Sequence, residues 1–317
     1  MTSTRSETHL LLNINRSGNV MTILLSRRQS LAGSLLALPV LAGISAVGRT
    51  ADDNTGEAQI AALESKHPGR ICVSILDMAS GKRIEHRAGE RILMCSTFKA
   101  LAAALVLARV DKGEEKLDRR IHYKKSDLID YSPATEPNAG DNGMTVGELC
   151  AAAVTLSDNT AANLLLASFG GPQAITTFCR SIGDELTRLD RTEPTLNYHD
   201  TANDERDTTT ASAMLENLRR LLFTDVLTPA SRSQLAAWLI TNKTGDTRLR
   251  AGLPKDWLVG DKTGTNGDKH GNANDIAVLW PSKRAPIIVT AYCEVPAIAA
   301  DERNAIIAEI GRIAAAI

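Results

Sequence analysis

Residues 96–113 read STFKALAAALVLARVDKG, and this is the most informative stretch of the chain. Residues 100–110 are almost wholly Ala, Leu and Val, which predicts a helix that is buried on most sides and ends near Gly113. Ser96 and Lys99 stand one helical turn apart at its start, so their side chains share one face. A hydroxyl and an amine are unusual in such apolar surroundings, which makes this pair a candidate site.

Burial suggests a chemical role for Lys99, because a desolvated amine favours its neutral form and can then accept a proton from a serine. The free backbone N–H groups of the first helical turn also point toward any negative charge that develops there. The same spacing arises by chance when a serine caps a helix and a lysine reaches along its surface. The assignment therefore depends on the other motifs of the chain.

Ser157-Asp158-Asn159 interrupts two apolar segments, ELCAAAVTL before it and TAANLLLASFGG after it. Both segments predict helices, so Ser157 or Asp158 is expected to begin the second helix as its N-cap. A triplet that caps a helix can also present Ser157 and Asn159 to a cleft. Helix capping and ligand contact are both compatible with this motif.

Lys-Thr-Gly occurs twice, at residues 243–245 and at residues 262–264. The first copy lies in a polar stretch rich in turn formers, whereas the second lies beside apolar runs that predict a hairpin. Only the second copy is expected on a strand edge, where an extended ligand could pair with it. Lys262 is therefore the candidate, and the match at Lys243 is interpreted as chance.

Thr-Glu-Pro also occurs twice. Glu136 lies in a segment that is typical of a solvent loop, whereas Glu193 lies in the long polar segment 188–210. Long segments without secondary structure are uncommon and are often functional. A glutamate held by Pro194 and flanked by the amide of Asn197 could position and deprotonate a water molecule.

The order of these motifs resembles that of the class A serine β-lactamases, in which Ser-x-x-Lys, Ser-Asp-Asn and Lys-Thr-Gly are known signatures. The resemblance runs from about residue 55 to the C-terminus, and the blocks VTLSDNTAANLLL, DERDTT and GDKTGT add to it. Each motif alone is weak, whereas four motifs in this order are specific. The resemblance implies hydrolysis of the β-lactam amide of penicillins and cephalosporins through a serine acyl-enzyme, which gives antibiotic resistance. A penicillin-binding DD-peptidase or a non-hydrolysing penicillin sensor is the alternative, against which Glu193 and Asn197 argue.

The resemblance also implies a role for each catalytic position. The implied catalytic residues are Ser96 as nucleophile, Lys99 as base or proton relay, Ser157 as proton donor to the lactam nitrogen, and Glu193 as the base of deacylation. Whether Lys99 or Glu193 is the base of acylation stays open, since this question is disputed for the family.

Substrate contacts are implied on several segments: Tyr131 at the cleft mouth, Asn159 at the substrate's side-chain amide, Asn197 at the water, Lys262 and Thr263 at the carboxylate, and Thr265, whose N–H would form an oxyanion hole with that of Ser96. Arg248 matches an arginine that some members use for the carboxylate, with a solvated loop charge as the alternative. Arg191 and Asp207 match an ion pair that would hold the Glu193 loop.

The composition is that of an ordinary globular protein: 317 residues, of which 43% are hydrophobic and 23% charged, with a net charge of −1. This length provides one large or two medium cores. The low net charge indicates neither a nucleic-acid partner nor a membrane-surface partner. The six histidines form no paired ligand spacing, so neither a metal nor another cofactor is expected. A monomer with a small β-lactam substrate is expected.

Five cysteines leave at least one thiol unpaired. Cys95 and Cys150 match half-cystines of some family members, but the partner positions in this chain are Asn266 and Ala103. Mostly buried free thiols are therefore expected.

The N-terminal region resembles a twin-arginine export signal, because residues 26–31 read SRRQSL and precede an apolar run. Gly and Pro within that run favour a cleaved or anchoring signal over a spanning helix. Met21 is an alternative start, and a genuine N-terminal tail stays open. The protein is expected to be exported, either periplasmic or secreted, with no stable membrane span after signal removal.

Apolar runs predict the remaining elements. A helical stretch is expected from Ser96 to about residue 240, and Asp301 is expected to cap a final helix. Strands are expected at residues 70–78, 83–88, 257–263, 275–281 and 286–295. The predicted fold is α/β (α+β) and serine β-lactamase-like, with an antiparallel five-stranded sheet flanked by helices and an inserted all-helical domain.

The expected domain boundaries follow from this order. Residues 1–51 are interpreted as the export signal and a preceding tail, residues 52–87 with 241–317 as the sheet domain, and residues 88–240 as the helical domain. The candidate motifs fall on both folded parts, so the cleft is expected between them.

Overall fold

The computed structural model describes residues 9–14, 20–25, 55–201, 203–267 and 270–317. Strands β1 (His9–Ile14) and β2 (Val20–Leu25) form an antiparallel pair within an N-terminal unit. The arginine pair and apolar run of the predicted export signal lie outside the described residues. The chain from residue 55 onward forms one compact unit. In the part of the chain that the structure describes, no helix is long and apolar enough to cross a membrane.

The predicted antiparallel five-stranded sheet is confirmed, with strands in the order β4-β3-β11-β10-β9. The bounds are Arg70–Asp77 (β3), Arg83–His86 (β4), Leu258–Thr265 (β9), Asn272–Trp280 (β10) and Ile287–Glu294 (β11). The strands were recognisable as apolar runs because the sheet is covered on both faces. Strand β9 forms one edge, which leaves one side of its backbone available to a ligand.

Alternate residues of each strand face opposite sides, so the sheet divides the interior into two apolar clusters. Residues such as Val73 and Val289 face α1 (Thr55–Glu64) and α8 (Ala300–Ala315). Residues of the other set, such as Tyr292, face the inserted helices. The N-cap of α8 is Ala299, so the prediction that Asp301 caps this helix is wrong. Asp301 lies in the first turn instead, where its negative charge interacts favourably with the positive end of the helix dipole.

The described residues of the insert form six α-helices: Phe98–Asp111 (α2), Val146–Thr155 (α3), Asn159–Ser168 (α4), Gln173–Ser181 (α5), Ala211–Phe223 (α6) and Pro229–Ile240 (α7). Helix α2 packs against α3, α4, α5 and α7, which explains why its sequence is apolar on nearly every side.

The insert is not helical throughout, contrary to the continuous helical stretch expected from Ser96 to residue 240. Two short strand pairs lie within it, and their members are Ile92–Leu93 (β5) with Thr208–Thr209 (β8), and Arg120–Tyr123 (β6) with Gly140–Thr145 (β7). Strands this short, or rich in Gly and polar residues as in β7, carry no apolar run that would reveal them.

Candidate active site

The turn that carries Ser96 is a 3₁₀ helix, Cys95–Thr97, which leads directly into α2. Cys95 adopts a left-handed backbone with φ of 45°, a strained conformation for a residue with a side chain. The end of β9 lies against this turn at Gly264, where an added Cβ would approach Met94 O to 2.7 Å and Ser96 N to 3.2 Å. Only glycine permits this approach, so the end of β9 packs directly against the turn that carries Ser96.

Lys99 is fully buried in the first turn of α2. Its Nζ donates to Ser157 O at 2.8 Å and to Asn159 Oδ1 at 2.6 Å, and it lies 3.1 Å from Glu193 Oε1. Burial lowers the pKa of Lys99, while the negative charge of Glu193 acts in the opposite direction. The amine is therefore easier to deprotonate than an ordinary lysine.

Glu193 is only 3% exposed, and hydrogen bonds hold both its backbone and its side chain in place. The side-chain amide of Asn163 accepts from Glu193 N at 3.0 Å and donates to Glu193 O at 2.9 Å. Asn197 Nδ2 donates to Glu193 Oε2 at 2.6 Å, and Ser96 Oγ donates to Glu193 Oε1 at 3.1 Å. The carboxylate thus faces the hydroxyl of Ser96 in a defined orientation.

Sequence reasoning missed Asn163. This residue lies one turn after Asn159 in α4 and has apolar neighbours on both sides along the chain. A polar side chain at that spacing was the available signal, but its partner on a distant loop was not recognisable from the sequence.

The predicted ion pair of Arg191 and Asp207 is present. Arg191 Nε lies 2.6 Å from Asp207 Oδ2, and Asp207 is fully buried. Asp207 Oδ1 also accepts from the backbone N–H groups of Asp190 and Arg191, while Arg191 Nη2 donates to Tyr198 O. These contacts tie the two ends of the loop around Glu193 together.

Ser157 stands between two buried lysines. Its hydroxyl oxygen lies 3.1 Å from Lys262 Nζ and 3.5 Å from Lys99 Nζ, and its backbone is left-handed with φ of 59°. When both amines are protonated they can only donate, so the hydroxyl hydrogen of Ser157 is not needed for either contact and is free to point toward a ligand. Asp158 is the N-cap of α4, as one of the two sequence alternatives predicted, and accepts from Ala161 N.

Lys262 of β9 is fully buried beside this serine and also donates to Thr263 O at 2.8 Å. Burial, together with the nearby positive charge of Lys99, lowers the pKa of Lys262 well below its usual value. By contrast, the alternative lysine, Lys243, is exposed on a loop after α7. The alternative glutamate, Glu136, is likewise exposed, on the short 3₁₀ helix Glu136–Asn138.

Arg248 lies beneath the end of β9. Its Nη1 donates to the carbonyl oxygens of Gly264 and Asn274, and its Nη2 donates to Thr265 Oγ1 at 2.6 Å. The alternative interpretation of Arg248 as a solvated loop charge is wrong, because the side chain is buried. Burial lowers its pKa, and the charge of Asp275 opposes that shift.

Tyr131 and Asn159 lie at the rim of the same region. Tyr131 is 60% exposed and has a left-handed backbone with φ of 64°. Its carbonyl accepts from Asn159 N at 3.0 Å, and Asn159 Nδ2 donates to Asp130 O at 2.9 Å. These bonds attach the Tyr131 loop to the start of α4, beside Lys99.

All five cysteines are buried and free, which confirms that prediction. At the position where some relatives carry a second cysteine, Asn266 donates to Asn197 O at 3.0 Å. A hydrogen bond thus links the sheet edge to the Glu193 loop in this chain. Sequence reasoning noted Asn266 only as a missing cysteine.

The site therefore brings together the hydroxyls of Ser96 and Ser157, two buried amines of lowered pKa and a buried carboxylate. Such a set can move protons to and from a serine during acyl transfer to water, which defines a serine hydrolase.

Comparison with known proteins identifies the family. The sequence profile of the β-lactamase enzyme family matches residues 56–317. Beta-lactamase L2 of Stenotrophomonas maltophilia is 49% identical over 89% of this chain and 93% of its own length, and beta-lactamase Toho-1 of Escherichia coli is 45% identical over 91% and 97%.

Solved structures of class A β-lactamases are also similar to this chain. An ancestral class A β-lactamase (GNCA) is 62% identical with a TM-score of 0.79, and its match covers 82% of this chain and 98% of its own. The putative class A β-lactamase PenP of Rhodopseudomonas palustris is 59% identical with the same TM-score and the same coverage. The chain belongs to the class A β-lactamase family. It is a β-lactam hydrolase, and its activity gives resistance to β-lactam antibiotics.

Proposed function

We propose that Ser96 attacks the β-lactam carbonyl of penicillins and cephalosporins and carries the acyl group of a two-step hydrolysis. The observation that carries this proposal is one carboxylate oxygen, Glu193 Oε1, which lies 3.1 Å from both Ser96 Oγ and Lys99 Nζ. The proton of Ser96 can leave to this carboxylate or to a neutral Lys99. The backbone N–H groups of Ser96 and Thr265 would stabilise the oxyanion.

Ser157 would then protonate the lactam nitrogen as the amide bond breaks. Its hydroxyl lies within reach of Lys99 and Lys262, whose lowered pKa values favour the release of a proton. Either amine can therefore restore the proton that Ser157 gives away.

Glu193 would activate the water that removes the acyl group. Asn197 holds Glu193 Oε2 through its Nδ2, while its Oδ1 is buried and has no hydrogen-bond partner among the described residues. A buried amide oxygen needs a donor, and a water placed between Asn197 Oδ1 and Glu193 would supply one. The same water would be aligned for attack on the acyl-enzyme.

The substrate carboxylate would bind at the end of β9. Lys262 supplies the charge, and the hydroxyls of Thr263 and Thr265 supply hydrogen bonds. Arg248 donates to Thr265 Oγ1, which leaves the hydroxyl hydrogen of Thr265 free to point at the carboxylate. On the opposite side, Asn159 would bind the substrate's side-chain amide and Tyr131 would line the cleft mouth.

A chromogenic cephalosporin tests the proposal directly. The protein should release many equivalents of chromophore per enzyme, and Ser96→Ala should lose activity by at least about a thousandfold. A penicillin-binding peptidase or sensor would stop after one equivalent. A burst of one equivalent without turnover, or an active Ser96→Ala variant, would contradict the proposal.

We also propose that the chain is exported as a monomer through a twin-arginine-type signal and acts in the periplasm or outside the cell. The support is the arginine pair that precedes an apolar run in the sequence. Replacement of Arg27 and Arg28 by Lys should retain the protein inside the cell. Cell fractionation measures this, and unchanged export of the double variant would contradict the proposal.

A further inference from the structure

The first Lys-Thr-Gly copy, interpreted above as a chance match, lies against the second copy in the structure. Lys243 is exposed, but Thr244 Oγ1 lies 2.5 Å from Thr263 Oγ1. The adjoining Gly245 packs on Asp261, where an added Cβ would lie 2.0 Å from Asp261 Oδ2. The exposed Lys243 is consistent with a chance match to the motif. The close contacts of Thr244 and Gly245 with the second copy indicate that these two residues have a structural role.

The buried carboxylate of Asp261 determines the directions in which the hydroxyl hydrogens of Thr244 and Thr263 point. Asp261 is fully buried and lies 2.5 Å from Arg250 Nε, and its Oδ2 accepts from Asn242 Nδ2 at 2.6 Å. The amide oxygen of Asn242 is thereby turned toward Thr244, from which it accepts both the backbone N–H at 3.1 Å and the hydroxyl at 2.9 Å. A hydroxyl has one hydrogen. In the free protein, Thr244 therefore donates to Asn242, and Thr263 donates to Thr244.

An anionic ligand at Thr263 reverses this chain of hydrogen bonds. When Thr263 donates to a carboxylate, its oxygen and that of Thr244 would meet as two lone pairs at 2.5 Å unless one of them supplies a hydrogen. Thr244 can rotate its hydroxyl hydrogen onto Thr263, because the amide oxygen of Asn242 keeps the backbone N–H of Thr244. A hydroxyl that accepts a hydrogen bond is also a better donor, so this rotation strengthens the bond to the carboxylate.

We propose that Thr244 is a positioning residue for the substrate carboxylate and acts through the hydroxyl of Thr263. This inference rests on the proposed function, in which Thr263 binds the carboxylate of a bicyclic lactam. Thr244 does not itself touch the substrate. It orients the hydrogen of Thr263, and Asn242 makes the two orientations possible.

A matched pair of variants tests this role, because Thr244→Ala and Thr244→Ser differ only by the hydroxyl. The substrates are a penicillin with its free carboxylate and the neutral methyl ester of the same penicillin. Thr244→Ala should lower kcat/KM for the acid by about three- to tenfold, the effect of one supporting hydrogen bond, and should change the value for the ester less than about twofold. Thr244→Ser should restore the acid to within about twofold of the parent.

Thr241→Ala serves as the control, because its hydroxyl is bound to Ala237 O at the exposed end of α7. It should leave kcat/KM for the acid and for the ester unchanged. Equal losses for acid and ester in Thr244→Ala, no loss for the acid, or failure of Thr244→Ser to restore activity would each overturn the inference. If the parent protein hydrolyses neither compound, the proposed function fails, and the inference fails with it.

Discussion

Replacement of Glu193 by Gln should separate acylation from deacylation. The substitution preserves shape but replaces one carboxylate oxygen by an NH₂ group. Glu193 lies between donors on both sides, Asn197 Nδ2 at 2.6 Å and Lys99 Nζ at 3.1 Å. The new NH₂ group therefore meets a donor in either orientation. The contact is relieved if Lys99 loses its proton, since a neutral amine can accept a hydrogen bond.

The loss of the carboxylate also removes the only charge that raises the pKa of Lys99 through a direct contact among the described side chains. Both groups are fully buried, and a buried ammonium without its partner costs about 3–5 kcal/mol. The pKa of Lys99 should therefore fall further, and the amine should become a better base for Ser96. Acylation is then expected to continue, with the acid limb of its pH profile moved to lower pH.

In deacylation, by contrast, we expect no other group to replace Glu193 as the base. The water between Glu193 and Asn197 loses its general base, an effect on the order of 10²–10⁴ in rate. The acyl-enzyme should accumulate, and intact-protein mass spectrometry after brief exposure to a penicillin should show the whole mass of the penicillin added, because ring opening releases no atoms. Glu136→Gln is the matched control at an exposed glutamate and should behave as the parent protein.

Two outcomes would refute this reasoning. Turnover at the parent rate without an adduct would mean that Glu193 is not the base of deacylation. Loss of acylation itself in Glu193→Gln, with the protein still folded, would mean that Lys99 cannot replace the carboxylate as base for Ser96.

Three further predictions concern residues around this centre. Lys262→Ala should lower kcat/KM by roughly ten- to a thousandfold, the loss of one charged hydrogen bond, whereas Lys243→Ala should change it little; equal effects in steady-state assays would contradict the assignment of Lys262. Arg191→Ser and Asp207→Asn should each slow deacylation more than acylation and should not be additive, since the first leaves the buried Asp207 and the second the partly buried Arg191 without its partner; strictly additive losses in pre-steady-state kinetics would refute a coupled pair. Asn163→Ala should remove both bonds to the backbone of Glu193, lower the free energy of unfolding by about 1–3 kcal/mol and lower kcat; an unchanged kcat would mean that the loop positions Glu193 without this amide.

The parts of the fold that were predictable have local signals. Strands β3, β10 and β11 are eight or nine residues long, and each contains a mainly apolar run because both faces of the sheet are covered. Helix α2 is apolar on nearly all sides because helices surround it. The two-residue strands β5 and β8 have no such signal, since their pairing depends on a partner more than a hundred residues away.

The sequence by itself determined the family, the order of the five main strands and the residue types of the candidate site, because these depend on runs and motifs whose members are neighbours along the chain. Only the tertiary structure decided how those residues are held. Asn163 meets Glu193 across 30 positions, Asn266 meets Asn197 across 69, and Thr244 meets Thr263 across 19. The physical reason is that a side-chain hydrogen bond needs its two atoms within about 3 Å, a condition set by the packing of separate elements and independent of distance along the chain.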